Sequence, residues 1–434
     1  MAAVKNNPPQ NSPRAPSHKT SGASAGVSVF LLRIGEAFTY RAFRNVWTAA
    51  FTSAVGTWMQ RFAQQWLIFD LTKSVPTDAA FYLGVDAFAG NVPLLLFTLL
   101  GGVVADRYDR RYLLMGSQIL QMGCALTLTA LVWTNAVTIP SILALSFVAG
   151  TAQAFGGPSF QSLIPSLVPR KTLPNAIALN SIQFNLAQSI GPLIGGLVLA
   201  TLGLVGCFGL NGLSFLVVVA ALAYVSIPAP TRTGRKPVIE ELKGGLRYVG
   251  QGGALLSLTV LAIATTALGL PIRAFLPVFA SDPNTLSQMM AALGTGAVVG
   301  ALIVAWLGTF NRMGFTLLSV LIVFGGLITT FALVPVGVIS YILLFFVGAA
   351  LLIVFSLTAS LVQLTVPDEL RGRVMSIYLM AFRGGMPLGS LVSGYVVASI
   401  SWATTESVIA VNGLLLALVA TYFLVGGRGG VREL

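Results

Sequence analysis

Gln60, Arg61, Gln64 and Gln65 crowd into an otherwise apolar stretch of the chain. At 100° per residue they fall on one arc of about 140°, while Met59, Phe62 and Trp66 cover the other side. A charge deep in an apolar helix costs roughly 2.5 to 3.5 kcal/mol on insertion scales, so it faces a partner or a watery cavity. The chemistry open to such a face is recognition. Guanidinium and amide groups donate to an anionic or carbonyl-bearing ligand and break no bond themselves. Arg273 is a second arginine in apolar surroundings. Each has a plainer reading: Arg61 as the structural partner of Asp86 or of backbone carbonyls, and Arg273 as a side chain snorkelling to the membrane surface. Asp86 is the carboxylate placed clearly inside an apolar run, and it can gain and lose a proton. Protons competing with its pairing to Arg61 would link proton movement to that face. Gln153, Gln161, Ser356, Thr358 and Ser360 are weaker ligand candidates, because small polar residues also join helices to one another. Asn180, Asn185 and Gln188 share one arc of a later run and read as interfacial.

Other chemistries lack their residues. The single histidine, His18, lies in a polar tail, and Cys124 and Cys207 lie inside apolar runs, so neither a metal site nor a disulfide framework is implied. There is no nucleophile set beside a base and no Gly-rich Lys-Ser/Thr loop, which excludes ordinary enzyme sites and ATP as the energy source. No cofactor is called for. With 56% hydrophobic residues and a mean hydropathy of +0.86, the chain is an integral membrane protein whose surroundings are the lipid bilayer. The net charge of +12 suggests a nucleic-acid partner only until the basic residues are located, for they flank apolar runs.

The elements that must position these side chains are apolar runs of about the 20-residue length that crosses a bilayer. Twelve are counted, giving an all-α membrane protein. Residues 1–26 read as a disordered cytoplasmic tail and 27–44 as an amphipathic interfacial helix. Residues 45–227 form a first six-helix bundle, 228–249 a cytoplasmic linker, 250–425 a second six-helix bundle and 426–434 a cytoplasmic tail. Charge tests the count. With both termini inside, every one of the 25 Lys and Arg residues falls in a tail or an even-numbered loop except Lys73, Arg61, Arg273 and Arg383.

The two bundles share a sequence plan. Val168-Pro169 through Gly195-Gly196 aligns without gaps, at an offset of 198, to Val366-Pro367 through Ser393-Gly394. The same offset pairs Gly102 with Gly300 and Gly150 with Gly348. A parallel duplication of a six-span unit is an architecture of secondary transporters, with the ligand site at midplane between the halves. In the first copy, Gly102-Val103-Val104-Ala105-Asp106-Arg107-Tyr108-Asp109-Arg110-Arg111 packs five charges between two apolar runs and marks a turn at the membrane surface. In the fifth run Pro192 bends the helix, while Gly191, Gly195 and Gly196 offer a small-residue packing face.

Together these residues resemble the major facilitator superfamily. Gly102-x3-Asp106-Arg107-x2-Arg110-Arg111 is similar to its signature loop, and Gly191-Pro192-x2-Gly195-Gly196 to the fifth-span motif of its antiporters. Val55 to Arg61, Asn211-Gly212-x-Ser214-Phe215 and Val366-Pro367-x3-Arg371-Gly372-Arg373-Val374 resemble the branch of enterobactin exporters and secretion effectors. The resemblance implies twelve helices in two pseudo-symmetric six-helix bundles, with the first, fourth, seventh and tenth spans around a central cavity. It implies a conformational latch at Gly102, Asp106, Arg107, Arg110 and Arg111, with Asp106 near the start of the eleventh helix and the arginines on carboxylates or carbonyls. Charge that merely fixes topology is the rival account of that turn. Arg383 would serve the latch or the contact between halves.

The expectation is a monomeric secondary transporter of the bacterial inner membrane, a proton-linked exporter of a small organic molecule. Two intramembrane arginines against one carboxylate favour an anionic, siderophore-like substrate. Broad multidrug efflux, a lipid flippase of the same fold and, remotely, a membrane enzyme are the rivals.

Overall fold

The computed structural model describes residues 35–225, 247–250, 252–308, 310–426 and 428–434, and these are helical, with no strand among them. The expected tail at 1–26 and nearly all of the linker lie outside the described residues. So does the first part of the expected surface helix. Its last part differs from expectation: Glu36–Thr39 is a 3-10 turn, Tyr40 is extended (φ −83°, ψ 110°), and residues 41–44 form the first turn of α1, Arg41–Thr72. The break falls at Tyr40 because Phe43 and Val46 are already buried against the rest of the N-terminal half.

Helices α2 (Pro76–Arg107), α3 (Arg110–Trp133) and α4 (Ile139–Leu167) follow. Asp109 caps α3, its Oδ1 accepting from the Arg111 backbone N–H at 2.9 Å, and Thr138 with Ser141 forms a capping box at the start of α4. The next element, α5, runs from Leu173 to Tyr224. A straight helix of that length would reach about 80 Å, far beyond a bilayer core of about 30 Å. Gly203 resolves the conflict. At φ 67° and ψ −169° it adopts a backbone that a side chain would strain, and α5 folds there into two arms, 173–202 and 204–224.

The second half opens with an interrupted helix. Ala254–Ala264 (α6) passes through a π turn at Thr265–Gly269 into Pro271–Phe279 (α7). Helices α8 (Pro283–Leu307), α9 (Met313–Leu333), α10 (Val338–Thr365), α11 (Asp368–Ser399) and α12 (Thr405–Gly426) complete the bundle. Part of the expected tail at 426–434 packs on the bundle: Arg428–Glu433 is a 3-10 turn with Val431 buried, its backbone lying against Gly314 where a side chain would not fit.

Nine helices among the described residues are long and apolar enough to cross a membrane. Missing from that group are α1, with its polar arc, and α11, with Arg383. Exposed aromatics sit near helix ends, as they do where a lipid surface meets water: Trp133 and Trp402 toward the Lys73 end, Tyr224 and Trp306 toward the Arg110 end.

Small residues decide how the helices pack. Gly150 of α4 lies against the Gly90 carbonyl of α2, and Gly348 of α10 against the Leu293 carbonyl of α8, so each half repeats one glycine-to-backbone contact. The halves meet along two further seams. In one, Gly84 approaches Ser390 and Gly394 approaches Ala80. In the other, Gly196 faces Ser287, Gly294 faces Ser189, and Ser287 Oγ donates to the Pro192 carbonyl at 3.0 Å. Ala80, Gly84, Ser287, Ser390 and Gly394 all lie toward the Lys73 end of their helices. One large apolar cluster joins Met59, Phe62 and Leu83 to the C-terminal half, whereas Phe43, Leu114, Leu163 and Leu222 form a separate core near the other end of the N-terminal half.

Candidate substrate site

Gly191 and Gly195 bring α5 against α1 so closely that a Cβ on either would strike Trp58 or Phe62. That approach fixes the Trp58 ring, which also meets Phe184 edge-on at 6.0 Å. The guanidinium of Arg61, one turn further along α1, lies over the indole with its carbon 4.8 Å from the ring centroid. Arg273 reaches the same ring from the other half, at 5.3 Å. Its backbone is aimed by the irregular π turn and Pro271, packed where Gly385 and Gly389 of α11 leave room for Thr266 and Ala267. The Gln188 amide of α5 lies against the Arg273 guanidinium, and because two donors cannot face each other its oxygen is assigned to that side, accepting from Nη1 at 2.7 Å and also from Nη2.

Two positive charges thus converge on one aromatic ring, each gaining about 0.5 to 2 kcal/mol from it. Arg61 is exposed although it lies well inside α1, the combination a watery cavity produces. Among the described residues neither arginine is ion-paired to a carboxylate. The expected pairing of Arg61 with Asp86 is therefore not formed. Asp86 is held by neutral donors: its Oδ1 accepts from Gln64 Nε2 at 2.8 Å and from Ser146 Oγ at 2.6 Å, and Gln64 Nε2 also lies 2.9 Å from Ser146 Oγ. Such bonds satisfy a carboxylate without neutralising it. The cation–π contact with Trp58, not an ion pair, sets where Arg61 points.

The remaining candidates divide. Gln60 turns away from the cavity, its Oε1 accepting from Asn211 Nδ2 at 2.6 Å in a polar knot with Ser214 that ties α1 to the second arm of α5. Gln65 keeps a buried carbonyl oxygen with no partner among the described residues. Gln153 is exposed and Ser356 half-buried, and no hydrogen bond among the described residues joins either to the cluster. Gly102, Asp106 and Arg107 lie on α2, and their side-chain placement falls outside what is described. Arg110 donates to the Ser162 carbonyl of α4 at 3.2 Å, and Arg111 to the Ala223 carbonyl of α5 at 2.5 Å. These two bonds run within the N-terminal half. Arg383 is exposed on α11.

Sequence reasoning missed three partners. Trp58 stands three residues before Arg61, the helical spacing that brings two side chains together. Gln188, read as interfacial, does lie at an interface, but it bonds the arginine there. Ser146 gives no signal beyond being a small polar residue in an apolar run.

A bundle of membrane-length helices whose two halves bring guanidinium groups together on one indole ring is the arrangement of a membrane transporter. The profile of the transmembrane secretion effectors matches residues 36–426, and the chain belongs to that family of the major facilitator superfamily. It is 28% identical over 388 residues to the multidrug efflux pump Tap of Mycolicibacterium fortuitum, covering 86% of this chain and 93% of that one. It is 25% identical over 408 residues to the enterobactin exporter EntS of Escherichia coli O1:K1 / APEC, covering 90% and 94%. Among solved structures, a bacterial homologue of the lysosomal transporter Spinster superposes with a TM-score of 0.70 at 13% identity, covering 91% of this chain and 98% of that one. A D-xylose–proton symporter superposes at 0.68 and 15%, covering 89% and 98%.

Proposed function

We propose that this protein is a secondary active exporter of a small organic anion, working by alternating access. The reading takes α5 as two crossings, α6 with α7 as one, and α1 and α11 as crossings despite their polar faces. That gives twelve spans in two pseudo-symmetric bundles, acting as a monomer in the bacterial inner membrane with both termini in the cytoplasm. The observation that carries it is the convergence of Arg61 and Arg273, one from each half, on Trp58, with no carboxylate among the described residues at ion-pair distance from either. An unpaired pair of guanidiniums is a recognition site for a carboxylate, catecholate or sulfonate, and an exported siderophore belongs to that chemical class. The seams at the Lys73 end fit a state closed on that side, with the cavity reached from the Arg110 side. Asp86 is the group assigned to proton coupling. Its Oδ1 is occupied and its Oδ2 has no partner among the described residues.

Broad multidrug efflux is the second reading, supported by the likeness to Tap and by the indole surface at the cavity floor. One experiment separates them: transport of a planar aromatic anion, salicylate, and of a planar aromatic cation, ethidium, by the purified full chain in proteoliposomes under an imposed pH gradient. Salicylate moved in preference to ethidium supports the anion reading. Ethidium alone supports multidrug efflux. Movement of labelled phospholipid with neither points to a lipid flippase and overturns both.

A further inference from the structure

Gln188 is buried at the seam between the halves, and the amide orientation that a facing guanidinium requires puts its carbonyl oxygen on both terminal nitrogens of Arg273. Few residues can accept such a fork. Glutamate is the usual one, and it would cancel the charge it holds. Glutamine fixes the guanidinium with the same shape and leaves its charge uncompensated. The same device recurs at Asp86, where Gln64, another neutral amide, holds the ionic group. From this juxtaposition we propose that Gln188 is a specificity-determining residue: its neutral amide positions Arg273 across the two halves while keeping the cavity's positive charge available, and so sets the sign of the ligand that the cavity accepts. The proposal rests on the anion reading given above and adds to it the residue that enforces it.

The geometry explains why this position has such leverage. Gln188 lies one turn before Pro192, whose ring leaves the Gln188 backbone carbonyl without its usual helical donor. Gly191 beside it lets Trp58 close in, and Ser189 beside it contacts Gly294 of the other half. Arg273, Trp58 and Arg61 are therefore all placed relative to this one short segment of α5. A change of charge there alters both arginines' surroundings without altering the packing.

The test compares Gln188→Glu with Gln188→Met in the full-length protein, measuring equilibrium binding of radiolabelled salicylate and of ethidium, with thermal melting to verify folding. Gln188→Glu keeps the fork and cancels the charge. Salicylate binding falls about tenfold or more, and ethidium binding rises by several-fold. Gln188→Met keeps the charge and loses the fork. Its salicylate affinity falls less, and its ethidium binding does not rise. Equal losses in the two variants, with no gain for ethidium, would show that Gln188 only positions Arg273 and would overturn the proposal. Wild-type protein that binds salicylate with Gln188→Glu unchanged overturns this inference alone, while wild-type protein that binds no salicylate overturns the anion reading along with it.

Discussion

Asp86→Asn isolates the proposed proton site because the structure makes the exchange nearly silent for folding. Both hydrogen bonds to Asp86 land on Oδ1, at 2.8 Å from Gln64 and 2.6 Å from Ser146. An asparagine carbonyl takes that place, and its NH2 falls where Oδ2 has no partner among the described residues. Bonds to an ionised acceptor contribute about 1.5 to 3 kcal/mol each and neutral ones about 0.5 to 1.5, so the exchange weakens the pair by about 2 kcal/mol. Against this, the variant no longer has to bury a charge, a desolvation cost of several kcal/mol for a fully buried ion and less at this half-buried position. The two terms nearly offset each other. The variant therefore folds, and any loss of function reports on the proton. The assay is salicylate transport in proteoliposomes, run once with an imposed pH gradient and once as substrate exchange without one. Gradient-driven transport is expected to fall about tenfold or more while exchange stays within about twofold, since only the former needs a titrating group. Full gradient-driven transport in Asp86→Asn would refute the assignment.

Three further outcomes follow from named contacts. Arg61→Ala and Arg273→Ala should each weaken salicylate binding by about ten- to a hundredfold, the loss expected for a charged hydrogen-bond partner, and equal binding in both would remove the site. Asp282, at the exposed cap of α8, has its carboxyl held below the ordinary aspartate range, first by the Thr285 hydroxyl and then by the Thr285 and Asn284 backbone N–H groups. A lowered folded value means that its contribution to stability is present above the ordinary aspartate value of about 3.9 and is lost as the pH falls below it. The melting-temperature difference between wild type and Asp282→Ala should therefore persist at neutral pH and shrink in acid. Cysteines introduced at Lys73 and Tyr108, both exposed, should react with an impermeant maleimide from opposite sides of the membrane, against the low background of buried Cys124 and Cys207. Labelling from one side would undo the span count.

Much of the fold is legible because lipid allows so few solutions. A backbone without water must satisfy itself within helices, so apolar length and the placement of Lys and Arg carry most of the architecture. What stays hidden is where a helix breaks. Residues 173–224 read as two spans separated by a short turn, yet the helix continues to Gly203 and resumes directly after it, since one residue with positive φ is enough to reverse the chain. Residues 250–279 read as one span whose edges Pro271 and Pro277 blur, and its π turn follows from the glycines of α11 that press against it, a contact far away in sequence. At the site, periodicity gathers Arg61, Gln64 and Gln65 onto one arc of α1. It cannot say that Gln60, on the same arc, is claimed by Asn211, or that Arg61 prefers an indole to Asp86, because both outcomes depend on what α5 presents.

Arg110 and Arg111 bond carbonyls of α4 and α5, and those bonds lie inside the N-terminal half. Among the described residues the contacts between halves are mostly glycine and serine against backbone, joined by a neutral hydrogen bond from Ser287 to Pro192 and the charge-assisted one from Arg273 to Gln188. A charge-assisted bond is roughly twice as strong as a neutral one, and close glycine contacts are lost by any small separation. Seams that part easily, crossed by the charge-assisted bond at Arg273, suit two bodies that rock without deforming. On the proposed cycle, the cross-half bond from Gln188 to Arg273 is then the contact that must be exchanged when the Lys73 end opens. A ligand anion seated on Arg61 and Arg273 is chemically suited to replace it, because a carboxylate offers two acceptor oxygens, and a charge, where the amide offers one neutral oxygen.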